Sequence, residues 1–158
     1  MKADPPRVVF DCNIYFQAMV SAHGPAGSCL QKVREGELRL YVSDYILAEI
    51  RDLPNDAELV TKFGLDHGKV ERFIGSFFGF AQYCKIVPEI YRHPLDPDDS
   101  HYISLAVGND AHLVVSRDRH LLNLMDLSRT EAQDFHQRFP QLRVLDPVAL
   151  LRELPALN

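Results

Sequence analysis

Arg7-Val8-Val9-Phe10-Asp11-Cys12-Asn13 is a short apolar run that stops on a carboxylate. Val8 to Phe10 reads as a buried strand. In an open parallel sheet, ligand chemistry gathers just beyond the carboxyl ends of the strands. Asp11 is therefore placed as a metal ligand. Three more acids, Glu49, Asp99 and Asp118, come where the same crevice can collect them.

Working outward, Ile14 to Val20 continues apolar until Ser21-Ala22-His23-Gly24-Pro25 breaks it, and Ala26 to Arg34 reads as a helix. Leu38-Arg39-Leu40-Tyr41-Val42 alternates with period two, a second strand. Ser43 or Asp44 caps the next helix, with Ile46, Leu47, Ile50 and Leu53 inward. A weakly patterned helix covers residues 55–63. Asp66 caps another with Val70, Phe73, Ile74 and Phe77 at helical spacing. Cys84-Lys85-Ile86-Val87 is expected as a third strand before Pro88.

Asp96-Pro97-Asp98-Asp99 signals a helix start, with Asp96 as cap, running through Val107. His112 to Ser116 is a fourth strand and residues 118–125 a short helix. A helix at 130–139, a strand at 142–145 and a closing helix from Pro147 to Leu154 complete the alternation. Strands alternating with helices mean βαβ units. The expected fold is α/β, a three-layer α/β/α sandwich with a central, mainly parallel sheet of about five strands, in one domain over 1–158.

At 158 residues, 46% hydrophobic and 25% charged, the chain has the composition of a globular domain with one core. No apolar run nears the roughly 20 residues of a membrane span, and Met1-Lys2-Ala3-Asp4-Pro5-Pro6 lacks the apolar core of a signal peptide. A cytoplasmic location is expected. Cys12, Cys29 and Cys84 are too few and too scattered for a disulfide framework or a zinc cluster. The formal charge of −5 gives no overall attraction for nucleic acid. Such binding requires a local basic patch, or cations that invert an acidic pocket.

Each acid has a duller explanation. Asp11 and Asp118 follow strands and can serve as turn or cap residues; Glu49 flanks a helix's inward face and can pair with Arg51. Asp99 shares a helical face with Tyr102, Ile103 and Ala106, so it points with the core. Asp11 and Asp118 emerge at the same edge of a parallel sheet. Like charges gathered there raise one another's pKa unless a cation neutralises them. Oxygen-only donors favour Mg²⁺ or Mn²⁺ over zinc.

These segments, with Ser43-Asp44-Tyr45-Ile46-Leu47-Ala48-Glu49-Ile50, Asp96 to Ala106 and Leu113 to Leu122, resemble the PIN-domain family of metal-dependent ribonucleases. The chain looks most like the branch of toxin components of toxin–antitoxin pairs, over nearly its whole length. The resemblance implies one or two Mg²⁺ or Mn²⁺ ions on Asp11, Glu49, Asp99 and Asp118. Asn13 and Ser116 would be orienting groups. Cys12 stands where the family often has Thr or Ser, and His120 where many relatives carry another Asp.

The function implied is hydrolysis of phosphodiesters in single-stranded or structured RNA, with an antitoxin as partner. Arg92, His93, Arg117, Arg119 and His120 are candidates to grip RNA, and Tyr91 and Tyr102 to stack on bases. The Phe-rich segment around Val70 to Phe80 suggests a homodimer surface. One rival is a binding module with little turnover that acts through a partner. Another is a phosphatase of the haloacid dehalogenase type, whose second Asp would stand where Asn13 does.

Overall fold

The computed structural model describes residues 4–157; residues 1–3, read above for leader character, lie outside them. Among the described residues five strands form one sheet: β1 (Arg7–Phe10), β2 (Arg39–Ser43), β3 (Ala81–Cys84), β4 (Leu113–Val115) and β5 (Arg143–Leu145). Their order is β3-β2-β1-β4-β5, and every pairing is parallel. Val8, Val9 and Phe10 are fully buried because β1 is central and covered on both faces. The second strand is not the half-exposed one its alternation suggests: Leu40, Tyr41, Val42 and Ser43 are all buried.

Among the same residues nine α-helices connect or cover the strands: α1 (Cys12–Val20), α2 (Pro25–Arg34), α3 (Asp44–Asp52), α4 (Ala57–Phe63), α5 (His67–Phe78), α6 (Ser100–Gly108), α7 (Arg119–Leu122), α8 (Thr130–Arg138) and α9 (Pro147–Leu157). Right-handed crossovers from β1 to β2 and β3 put α1 to α5 on one face. The chain then jumps back past β1 to β4, so the same handedness puts α6 to α8 on the other. α6 packs along β1, β2 and β4, and α9 returns to pack on α2. This reversal between β1 and β4 is a topological switch point, and the crevice it opens lies beyond Phe10 and Val115.

Start signals in the sequence become caps. Ser43 Oγ accepts from the Ile46 amide at 3.3 Å, and Asp66 accepts from Lys69 at 2.7 Å. Val70, Ile74 and Phe77 of α5 are buried, and the Phe77 ring packs tilted against Tyr15 at 5.0 Å, which in turn meets Phe10. Phe78 and Phe80 turn outward, with Tyr83 and Ile86 beside them.

Two local expectations are corrected. The third strand lies three residues earlier than residues 84–87, because the register Leu40↔Ala81 to Ser43↔Cys84 pairs the chain straight out of the turn after α5. It is an edge strand with exposed Gln82 and Tyr83, so it carries no apolar run to announce it. Residues 97–99 form a 3-10 turn before α6, and Asp96 makes no side-chain cap.

One glycine is required by close approach. A Cβ on Gly27 would sit 2.2 Å from the Ala22 carbonyl oxygen, where α2 lies against the preceding turn. Gly27→Ala is expected to destabilise the fold by about 2–3 kcal/mol through overpacking, visible as a lowered urea midpoint with unchanged slope.

Candidate metal centre

The sheet ladder runs to the edge of the crevice, where the Asp11 amide donates to the Val115 carbonyl at 3.1 Å. Asp11 is buried and caps α1, its Oδ1 accepting from the Ile14 amide at 3.1 Å. Its Oδ2 accepts from the Ser116 hydroxyl. Ser116 Oγ also accepts the Asp118 amide at 2.9 Å, so one serine ties the ends of β1 and β4 together. Asp118 caps α7 by accepting from His120 and Leu121 amides at 2.8 and 3.2 Å.

Asp99 enters from the turn ahead of α6, half-buried, with Oδ2 enclosed and lacking a hydrogen-bond partner. Glu49 enters from α3. Its Oε2 accepts from the Tyr102 hydroxyl at 2.8 Å, and its Oε1 lies 2.6 Å from His101 Nε2. That hydroxyl also accepts the Cys12 amide at 3.1 Å, so Tyr102 joins α6 to the first turn of α1. Tyr102→Phe strands both partners and is expected to cost about 1–3 kcal/mol in urea unfolding.

The electrostatics are those of carboxylates short of counter-charge. Burial, then the neighbouring Asp118 and Glu49, pushes Asp11 up to about 6 against the pull of Ser116 and Ile14. Asp99 is pushed up to about 8 by burial and by Asp118, Asp96 and Asp11. Burial likewise pushes the Cys12 thiol up to about 12, so it remains a neutral thiol. A buried unpartnered carboxylate oxygen among acids that resist ionisation fits a divalent cation bound through oxygen.

Asp11, Asp99 and Asp118 lie within one another's electrostatic reach, with Glu49 acting on Asp11, although these acids do not form a trio with ligand atoms within 4.8 Å of one another among the described residues. The fold does not turn Asn13 to them: that residue is exposed and, among the described residues, its side chain makes no hydrogen bond. Two positions along α1 from Asp11, it lies on another side of the helix, and Ile14 and Ser116 orient the carboxylate instead.

The sequence marks Asp96 only as a cap, yet Asp96, Asp118 and His120 place ligand atoms within 4.8 Å of one another. His120 Nδ1 is 3.1 Å from Asp96 Oδ2, which turns its ring toward the acids. His93 holds this corner. Its Nδ1 accepts from the Leu95 and Asp96 amides, so the proton sits on Nε2 and donates to the His120 carbonyl at 3.0 Å. His93, Tyr91 and Tyr102 are 1%, 5% and 2% exposed, which removes all three as RNA contacts. Arg92, Arg117 and Arg119 remain at least partly exposed, the last two flanking Asp118. Arg92 makes only a loose pair with Glu89 at 4.0 Å.

No curated protein matches the chain. Among solved structures it is similar to VapBC2 from Rickettsia felis, determined bound to a DNA fragment from its promoter. The superposition has a TM-score of 0.54 at 11% identity and covers 89% of this chain and 98% of that one, a likeness of fold. The family profile of the PIN domain matches residues 7–120, a span running from β1 through Asp11, Glu49, Asp99 and Asp118 to His120. Since that span is well over half of the chain, the protein belongs to the PIN domain family.

Proposed function

We propose that this PIN domain is a divalent-metal-dependent endoribonuclease and the toxin of a toxin–antitoxin pair. The observation that carries the proposal is the buried, unpartnered Asp99 Oδ2, held in the field of Asp118, Asp96 and Asp11. Asp11, Asp99 and Asp118 would hold one or two Mg²⁺ or Mn²⁺ ions, with Glu49 at the flank. Such an ion supplies Lewis acidity toward the phosphate and a lowered pKa for water.

The chain's own groups do the rest. Ser116 fixes the Asp11 carboxylate by donating to it, and the Asp11 and Asp118 caps anchor both acids on helix starts. Asp99, which keeps a proton near neutral pH in the metal-free protein, is suited to orient water beside the phosphate. Arg117 and Arg119 offer cations next to Asp118 for the RNA backbone.

The likeness to a toxin–antitoxin assembly supports a protein antitoxin as partner. Exposed Phe80, Tyr83 and Ile86 beside the open edge of β3 are where self-association would occur. Light scattering that gives a clean monomer at high concentration would dispose of a dimer.

The test is cleavage of a labelled single-stranded RNA pool with Mn²⁺ or Mg²⁺, alongside an EDTA control and calorimetric titration of Mn²⁺. Cutting that stops on chelation is expected. Metal binding without cutting would move the protein to the rival reading of a binding module.

A further inference from the structure

Beside the acids runs an open groove of about 300 Å³ that the nuclease reading leaves unused. Its walls are the start of α3, residues 87–91 after β3, and the start of α6, including Tyr45, Val87, Glu89, Pro97, Asp98 and His101. All three walls stand at the carboxyl edge of the sheet. His101 connects groove and acids, since its Nε2 is 2.6 Å from Glu49 Oε1.

Tyr45 is the distinctive side chain. A tyrosine in the first turn of a helix ordinarily covers core or snorkels, yet Tyr45 is 61% exposed. Its ring nonetheless stacks on His101, with centroids 5.5 Å apart and planes at 27°. His101 is itself pressed against Tyr102 at 4.0 Å. An aromatic stacked on one face and largely exposed is a platform for a flat ligand, and single-stranded nucleic acid supplies one per nucleotide.

The rim adds a preference. Glu89 and Asp98 are exposed carboxylates, which only accept hydrogen bonds. Guanine presents adjacent donors, N1–H and the 2-amino group, on its Watson–Crick edge. Uracil presents one imino donor between two carbonyl oxygens that the carboxylates repel. Unpaired bases in single-stranded RNA are read on that edge while stacked.

We propose that this groove receives a guanine of the RNA next to the scissile phosphate, stacked on Tyr45 and bonded by Glu89 or Asp98. The inference rests on the ribonuclease reading for its ligand class, but it can be tested without turnover.

The probe is a set of fluorescein-labelled single-stranded uridine octamers, unsubstituted or with one internal guanosine. Anisotropy is read with Mg²⁺ on full-length chain carrying Asp11→Asn to spare the RNA. Tighter binding of the guanosine octamer is expected. Adding Tyr45→Ala should weaken it about tenfold and level the two octamers, while Tyr45→Phe should retain both affinity and preference. Glu89→Gln with Asp98→Asn should level the octamers and leave uridine binding in place. Because Tyr45 is mostly exposed, its replacement spares the core. Unchanged binding by Tyr45→Ala, or no RNA binding by the parent, would overturn the groove. Neither result touches the nuclease reading, which fails separately if wild type with Mn²⁺ leaves the RNA pool intact.

Discussion

Asp11→Asn is expected to lower metal-dependent RNA cleavage at least about a hundredfold while leaving the fold in place. The amide keeps the shape and the cap, because an Asn Oδ1 accepts from the Ile14 amide as well as Asp does. What it loses is the charge at the point where β1 and β4 meet. A neutral oxygen binds a divalent ion far more weakly than a carboxylate, and even outer partners of metal ligands are worth about 10–100-fold. Ser116→Ala should therefore give a smaller loss, about tenfold, because it frees the Asp11 carboxylate without removing it. Initial rates with Mn²⁺, calorimetric Mn²⁺ affinity and far-ultraviolet circular dichroism separate a lost ligand from a lost fold. Equal cleavage by wild type and Asp11→Asn would show that the chemistry lies elsewhere.

Asp99→Asn is expected to abolish most cleavage and yet make the metal-free protein more stable at alkaline pH. The Asp99 carboxyl sits at about 8 in the fold, against an ordinary value of 3.8, because burial and three neighbouring acids oppose its charge. The folded protein thus holds this proton more tightly than the unfolded chain. Its stabilising contribution is complete below about pH 4 and is lost progressively as pH rises through 8. Asp11, at about 6, adds a loss of the same sign that ends sooner.

The amide that Asp99→Asn introduces has no charge to bury. At pH 8.5 in EDTA the variant should gain about 1–2 kcal/mol, a figure reduced for the solvent that reaches this half-buried group. That corresponds to about 3–6 °C in Tm for a chain of this size. At pH 5 the difference should be much smaller, since Asp99 is then still protonated in the fold and only its ionisation in the unfolded chain, about one unit above 3.8, remains. Thermal scans at both pH values check the sign, and a variant less stable at pH 8.5 would contradict the electrostatic account. Added Mn²⁺ should raise wild type more than the variant, because only wild type offers the full set of charges.

The central strands were legible because burial on both faces leaves unbroken apolar runs, as at Val8 to Phe10 and Leu113 to Val115. The edge strand was not, since Ala81 to Cys84 needs no such run, and exposed Ile86 imitated one. Asp11 and Asp118 stand out in the sequence because they follow strands and cap helices, local roles that spacing reveals. Their partners do not. Asn13 is near in sequence but faces solvent, whereas Ser116 reaches Asp11 across 105 residues. Likewise Asp96 has the grammar of a cap, and only the fold brings His120 to it. Among tyrosines, sequence favoured Tyr91 and Tyr102, both buried by packing that no local pattern discloses, while exposed Tyr45 sits in the first turn of α3.

The position of β1 bears on biosynthesis. One side of it pairs with residues 39–41, made shortly after it, but the other awaits Leu113 to Val115. An emerging polypeptide therefore carries the apolar run Val8 to Phe10 with an open edge until Val115 has been translated. Two effects follow: the unfinished chain is exposed to mispairing with its neighbours on the polysome, and it has no assembled carboxylate cluster. The interval between first and last acid is a built-in delay before the carboxylates can assemble.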